Sequence, residues 1–136
     1  MQPIFITFIL LIISNLLSSS HADVGTAAFY DPPYLPTTCY GNDESQFPSN
    51  NLFAAAGDGI WNNGASCGRE YLVRCISASE ASSCFPDQII QVKIVDYALS
   101  SVSPPSDSGT TIVLSATAFG NVANSSTSIN IEFQLV

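Results

Sequence analysis

Short strand-forming segments separated by turn residues are the feature of this sequence that most limits its fold. The clearest segment ends the chain, where apolar residues alternate with single polar ones: Ile129, Ile131, Phe133 and Leu135. Strict alternation predicts a half-buried β-strand, because successive side chains of a strand point to opposite faces. Segment 89–97 has the same pattern.

Four further segments favour strands because they are apolar or β-branched and are bounded by Gly, Pro, Asn, Asp or Ser. These are residues 24–30, 52–56, 70–76 and 111–114. Helices are expected only as single short pieces, one led by Asp58 as a cap into Trp61 and one capped by Ser115 and ended by Gly120. The pattern predicts an all-β domain, a small barrel with one or two short helices.

The N-terminus is predicted to be a secretory signal peptide, residues 1–22. Segment 4–17 is almost wholly apolar, and Ser20 and Ala22 are the small residues that precede a cleavage site, here before Asp23. A retained N-terminal anchor is the alternative. No other segment is long and apolar enough for a bilayer, so we expect an extracellular domain, residues 23–136, that does not insert into a membrane.

The charge of the chain excludes several partners. It has 3 Lys and Arg against 11 Asp and Glu, a formal net charge of −8. Neutralising phosphates needs clustered cations, and Arg69, Arg74 and Lys93 are the whole supply. Nucleic acid and anionic membrane surfaces are therefore not expected partners.

Histidine and cysteine limit the chemistry further. The single histidine, His21, lies in the predicted signal peptide, so the exported domain has no Ser-His or Cys-His pair and lacks the commonest zinc ligand. All four cysteines lie in the exported part, where disulfides are favoured. A four-cysteine zinc site is the alternative, but no C-x2-C pair is present. We predict neither a metal nor a cofactor.

Several motifs together resemble the expansin-like, family-45 endoglucanase-like domain proteins of plants, including the plant natriuretic peptide-like group. They occur in one order along the exported domain: TAAFYDPPY at 26–34, LFAAA at 52–56, WNNGASCG at 61–68, VKIVD at 92–96 and TIVLS at 111–115. The resemblance implies a six-stranded double-psi β-barrel like barwin and the first domain of expansins.

The resemblance also suggests how the cysteines pair. Many relatives have two more cysteines after the position of Asp96, and this chain has neither. Their joint absence implies that they form one bridge in the relatives, which leaves Cys39 with Cys67 and Cys75 with Cys84 as the expected pairs. The sequence by itself allows three connectivities.

Catalysis is where this chain departs from the resembling hydrolases. They carry an acidic residue where this chain has Val113. Glycoside hydrolysis normally needs two carboxyls, and only Asp31 matches the first hydrolase motif. We therefore predict that the protein is not an enzyme. The alternative is a weak glycan-cleaving activity that uses Asp31 with Asp96.

Five residues are candidates for a ligand groove. Aromatic rings suit sugar rings because they have a flat apolar face, and the two aspartates are the nearby acids. The candidates are Tyr30, Asp31, Tyr34, Trp61 and Asp96. Core packing is the alternative for the aromatic residues, and a structural role at a strand end is the alternative for Asp96.

The resemblance implies a secreted, non-catalytic apoplastic protein with a signalling or stress role in water and solute homeostasis. A cell-surface receptor or a wall polysaccharide would be its partner, and we expect a monomer. The alternative function is a wall-polysaccharide-binding module, related to barwin-type domains. Asn124, in the sequence Asn-Ser-Ser, is the expected N-glycosylation site.

Overall fold

The computed structural model describes residues 22–136, so the predicted signal peptide lies outside the described residues apart from Ala22. The strands are β1 (Asp23–Tyr30), β2 (Phe53–Ala56), β3 (Glu70–Ser77), β4 (Ile90–Tyr97), β5 (Ile112–Ser115) and β6 (Ile129–Leu135). The helices are α1 (Asp58–Trp61) and α2 (Ala116–Val122), and short 3-10 turns cover Glu44–Gln46, Asn62–Gly64 and Ala98–Ser100. None of the helices in this part of the chain has the length and apolar character needed to cross a membrane.

The six strands close into one barrel in the order β1-β5-β2-β4-β3-β6. β1 pairs with β5 in parallel, and β2 pairs with β4 in parallel, whereas the other four pairings are antiparallel. A closed barrel leaves no unpaired strand edge. The predicted small six-stranded barrel is confirmed.

The interior of the barrel is one apolar core to which all six strands contribute. Neighbouring residues of one strand belong to different clusters: Ala27 lies in this core while Ala28 does not, and Ile112 and Leu114 lie in it while Val113 does not. This division follows from the two faces of a strand. Ser115 begins α2 as predicted, because its hydroxyl accepts the N–H of Ala118 at 3.1 Å.

A second apolar cluster lies on the outer face of the barrel. Its buried members come only from β1, β2, β4 and β5: Ala28, Tyr30, Phe53, Ala55, Val95 and Val113. The segment 31–51, here called the covering loop, packs over this face. Phe47 of the loop stacks on Phe53 with ring centroids 4.6 Å apart, and Tyr34 meets the same ring edge-on at 4.8 Å. The domain therefore has two cores.

Polar contacts fasten the covering loop to the barrel. The hydroxyl of Tyr34 donates to the carbonyl of Tyr30 at 3.0 Å and accepts the N–H of Ala116 at 3.2 Å. Near the end of the loop, the Lys93 ammonium donates to the backbone and side-chain oxygens of Gln46, at 2.9 and 3.1 Å.

Both disulfides join the pairs that the resemblance implies. Cys39–Cys67 links the covering loop to the turn before β3, and Cys75–Cys84 links β3 to the connection that follows it. No free cysteine remains among the described residues. Each bridge is expected to stabilise the domain by about 2–4 kcal/mol, because it restricts the unfolded chain.

Two helix boundaries differ from the prediction. Gly57, not Asp58, occupies the cap position of α1, and Asp58 is the first helical residue. Gly120 does not end α2, which continues to Val122. The reason is packing, since Phe119 and Val122 are buried against the core and hold this turn in place.

The junction between β2 and α1 leads to a prediction. A Cβ on Gly57 would lie 2.1 Å from the backbone oxygen of Thr110, whereas a Cβ on Gly59 would meet nothing within 4 Å. We expect Gly57→Ala to lower the free energy of unfolding by about 2–3 kcal/mol, because backbone cannot yield locally. Gly59→Ala, the matched control, should leave it unchanged or raise it by up to about 1 kcal/mol. Urea unfolding of both variants measures this; equal effects would contradict it.

Candidate ligand groove

An open groove lies on the outer surface where β2 and β5 meet the connection between β4 and β5. Its volume is about 470 Å³, and its lining comes from segments 57–59 and 98–111 together with Val113. The segment 98–109 forms one wall, fixed to β1 by the N–H of Ser106, which donates to the carbonyl of Phe29 at 2.8 Å. We call this feature the Val113 groove.

By the resemblance, Val113 stands at the position where the hydrolases carry an acid. Its side chain is 1% exposed and belongs to the outer apolar cluster, beside Ala55 across the β2/β5 ladder and Ala28 across the β1/β5 ladder. Both of these neighbours are alanines. Val113 therefore closes the base of the groove with a buried hydrocarbon side chain and places no carboxyl there.

An aromatic pair lies beside the groove. The rings of Trp61 and Tyr97 are stacked, with centroids 4.5 Å apart and planes 14° from parallel. The Tyr97 hydroxyl donates a hydrogen bond to the carboxylate of Asp58, which lines the groove. This hydrogen bond to the charged carboxylate raises the pKa of the Tyr97 hydroxyl. Tyr97 therefore remains a hydrogen-bond donor and holds its ring in place.

The opposite wall combines exposed apolar side chains with an acid. Leu99 is 71% exposed and Val102 is 49% exposed, and both line the groove with Pro104. Asp107 is exposed on the same wall. A wall of this kind offers apolar contact along its length and a negative charge at its edge.

Asp96 is buried rather than available to a ligand. Its side chain is 0% exposed, and its Oδ1 accepts the backbone N–H of Thr38 and of Tyr97, each at 2.8 Å. Oδ2 has no hydrogen-bond partner in the structure. Burial raises the pKa of the Asp96 carboxyl, and the two N–H donors only partly offset this effect. The residue ties the covering loop to β4.

The remaining sequence candidates do not assemble into one groove. Tyr30 is 1% exposed, so the structure removes it from the ligand surface; its ring lies under the covering loop, and burial raises the pKa of its hydroxyl. Asp31 is exposed and Tyr34 half-buried, but neither lines the Val113 groove. Of the five candidates, only Trp61 lies beside the Val113 groove and keeps some exposed surface; it is half-buried and stacks on Tyr97.

Sequence reasoning missed two groove residues, Asp58 and Asp107, and also Tyr97 beside the groove. A signal for Asp58 and Tyr97 exists, because Asp58 lies two residues after the end of β2 and Tyr97 ends β4, and the ends of paired parallel strands lie at the same edge of a sheet. Asp107 lies in a Ser- and Pro-rich connection without periodicity, which carries no such signal.

Two other surface features bear on function. Asn124 is exposed, and its backbone N–H donates to the carbonyl of Ser83 at 2.7 Å. Its side chain is accessible, and N-glycosylation there stays a prediction. Within residues 22–136, no group of three or more His, Cys, Asp or Glu side chains is arranged to hold a metal ion.

Comparison with known proteins agrees with this geometry. A family model described as "Lytic transglycolase" matches residues 53–133. An EG45-like domain containing protein of Citrus jambhiri is 39% identical over 121 residues, which cover 85% of this chain and 83% of the relative. The chain belongs to the EG45-like domain proteins. EG45-like domain containing protein 2 of Arabidopsis thaliana is 32% identical over 94 residues, 68% of each chain.

Solved structures identify the fold of this EG45-like domain. An expansin of Clavibacter michiganensis, a point mutant in complex with cellohexaose, superposes with a TM-score of 0.61 at 18% identity over 85% of this chain. The apo expansin gives a TM-score of 0.59. The EG45-like chain spans half the length of these expansin chains. The predicted double-psi barrel is confirmed.

The buried carboxyl of Asp96 leads to a pH prediction. Because folding raises its pKa above the unfolded value, the folded state binds the extra proton, and stability falls as pH rises from the unfolded value of 3.8 through the folded one. Asp96→Asn removes this loss, so its stability relative to the parent should increase with pH, by at most about 1.4 kcal/mol per pH unit.

Urea unfolding of both proteins between about pH 3.5 and pH 7 measures this difference. Asp31→Asn is the control for the loss of one negative charge, because Asp31 is exposed. A stability difference for Asp96→Asn that stays constant across the range, or decreases as pH rises, would refute the account of the buried carboxyl.

Proposed function

We propose that this EG45-like protein is a secreted, non-catalytic domain that binds β-1,4-linked wall polysaccharide in the Val113 groove. The observation that carries the proposal is the groove itself, in which the exposed apolar side chains of Leu99 and Val102 lie with the exposed carboxylates of Asp58 and Asp107. By the resemblance, the buried Val113 replaces the hydrolase acid. A groove that combines apolar side chains with polar edges suits a sugar chain, whose rings have apolar faces and hydroxyl rims.

The aromatic pair supports a glycan ligand. Trp61 and Tyr97 are both half-buried, so each ring keeps exposed surface while the stack limits its movement. The hydrogen bond to Asp58 restrains Tyr97 further. A rigid aromatic surface loses little entropy when a sugar ring packs on it, which favours binding. An expansin whose chain contains this fold was solved in complex with cellohexaose, which supports a glucan as the ligand.

The positions of Asp31 and Asp96 argue against the hydrolysis for which these two carboxyls are the candidates. Paired catalytic carboxyls must flank the scissile bond, about 5–10 Å apart. The raised pKa of Asp96 would suit a general acid, but the side chain is fully buried and already accepts two backbone N–H groups. Asp31 is exposed but does not line the groove. We propose that the chain binds glycans without cleaving them.

Signalling in water and solute homeostasis stays a prediction from the resemblance, as do secretion and the monomeric state. A saturable partner recovered from plant membranes by the domain spanning 23–136 would support the receptor part of that prediction. Glycan binding and receptor binding are separable, because only the first should respond to substitutions in the Val113 groove.

We predict that cellohexaose binds and that Leu99→Ala weakens its binding by about three- to ten-fold, because that side chain contributes apolar contact in the groove. Ile89→Ala is the matched control, since Ile89 is a similarly exposed aliphatic residue outside the groove. Trp61 is the only tryptophan, so its fluorescence reports binding directly.

The same samples test catalysis. We expect no reducing ends from carboxymethyl cellulose or mixed-linkage glucan, and no effect of Asp31→Asn on binding. Turnover that Asp31→Asn abolishes would overturn the non-catalytic proposal. Failure to bind cellohexaose, or an equal loss of affinity in Leu99→Ala and Ile89→Ala, would overturn the assignment of the groove as the binding site.

A further inference from the structure

The charges at the Val113 groove are all of one sign. Asp58 and Asp107 both line the groove, and both are exposed. No Lys, Arg or His is among the residues that line the groove. A ligand chain lying in the groove would therefore meet two carboxylates and no cation.

None of the three basic residues, all of which lie in the described part of the chain, forms an ion pair with a groove aspartate. Arg74 pairs with Glu132 on the far side of the barrel, in the single ion pair found among residues 22–136. The Lys93 ammonium donates to Gln46 and lies 5.1 Å from the centroid of the Tyr40 ring. Neither groove aspartate is neutralised by a basic side chain in the described part of the chain.

Asp58 has a second feature that matters for a ligand. It receives one hydrogen bond, from the Tyr97 hydroxyl, and this bond places its negative charge beside the Trp61–Tyr97 pair. A sugar ring on the pair would bring its ring substituents near the carboxylate. A carboxylate at this position favours an ammonium substituent over a hydroxyl, and it disfavours a second carboxylate.

We infer that the groove selects cationic β-1,4-glycans, that is, chains with free 2-amino groups such as glucosamine oligomers, over neutral glucans. This inference rests on the proposed function and names its ligand class. A glucosamine chain keeps the shape of a glucan chain, so the exposed apolar side chains of the groove and the aromatic pair accept both. The two aspartates decide between them, since an exposed pair of opposite charges contributes up to about 1 kcal/mol.

The test compares three hexamers by Trp61 fluorescence and calorimetry at about pH 5.5. At this pH free sugar amines are protonated and the carboxyl of an aspartate in a short peptide is ionised. The hexamers are cellohexaose, the glucosamine hexamer and its neutral N-acetylated form. We expect the glucosamine hexamer to bind about three- to ten-fold more tightly than cellohexaose, and this advantage to shrink as salt is added. The N-acetylated hexamer should show no such advantage.

Variants separate the groove from the overall charge of −8. Asp58→Asn with Asp107→Asn should make the glucosamine hexamer and cellohexaose bind equally, because the charges that favour the amine are gone while asparagine retains an acceptor for Tyr97. The matched control is Glu80→Gln with Asp87→Asn, which removes two exposed charges outside the groove and should keep the preference.

The outcomes distinguish this inference from the proposed function. Equal binding of glucosamine and glucose hexamers, or an equal loss of preference in both double variants, would overturn the selection of cations and leave the groove intact. Binding of none of the hexamers would overturn the proposed function itself.

Discussion

The packing of the covering loop on the outer face of β1, β5, β2 and β4 is the contact on which the rest of the structure depends. That face is apolar, so water must be excluded from it. Phe47, which stacks on Phe53, and Tyr34, which meets the same ring edge-on, cover it. The disulfide from Cys39 and the N–H of Thr38 to Asp96 fix the middle of the loop. The barrel thereby gains a second core.

Burial of this face determines what the protein can do chemically. The resemblance implies an acid at the position of Val113 in the hydrolases, and in this chain the residue at that position is buried in the second core. Asp96 is used to hold the loop and Tyr30 to fill the space beneath it. The surface left for a ligand is the groove beyond Val113, with aromatic, aliphatic and acidic walls suited to binding.

The sequence predicts the parts of this account that depend on local pattern. All six strands lie within about one residue of the alternating or β-branched segments that predict them, and Ser115 caps α2 as expected. For Tyr30 and Asp96 the sequence left a ligand role and a structural role both open, and the structure selects the structural one. The sequence could not decide, because the covering loop that buries them has no periodicity and its position is fixed by distant contacts. The meeting of Asp58, Tyr97 and Asp107 likewise depends on how β2, β4 and β5 pair, which no single segment encodes.

The central claim is that a glycan chain binds in the Val113 groove and is not cleaved there. An amide NMR titration of the domain spanning 23–136 with cellohexaose, continued for a day on the same sample, tests this directly. The account predicts shift changes confined to segments 57–61 and 97–111, with the hexamer undegraded at the end. Shift changes centred on Asp31 and the covering loop, or the appearance of shorter oligomers, would contradict it.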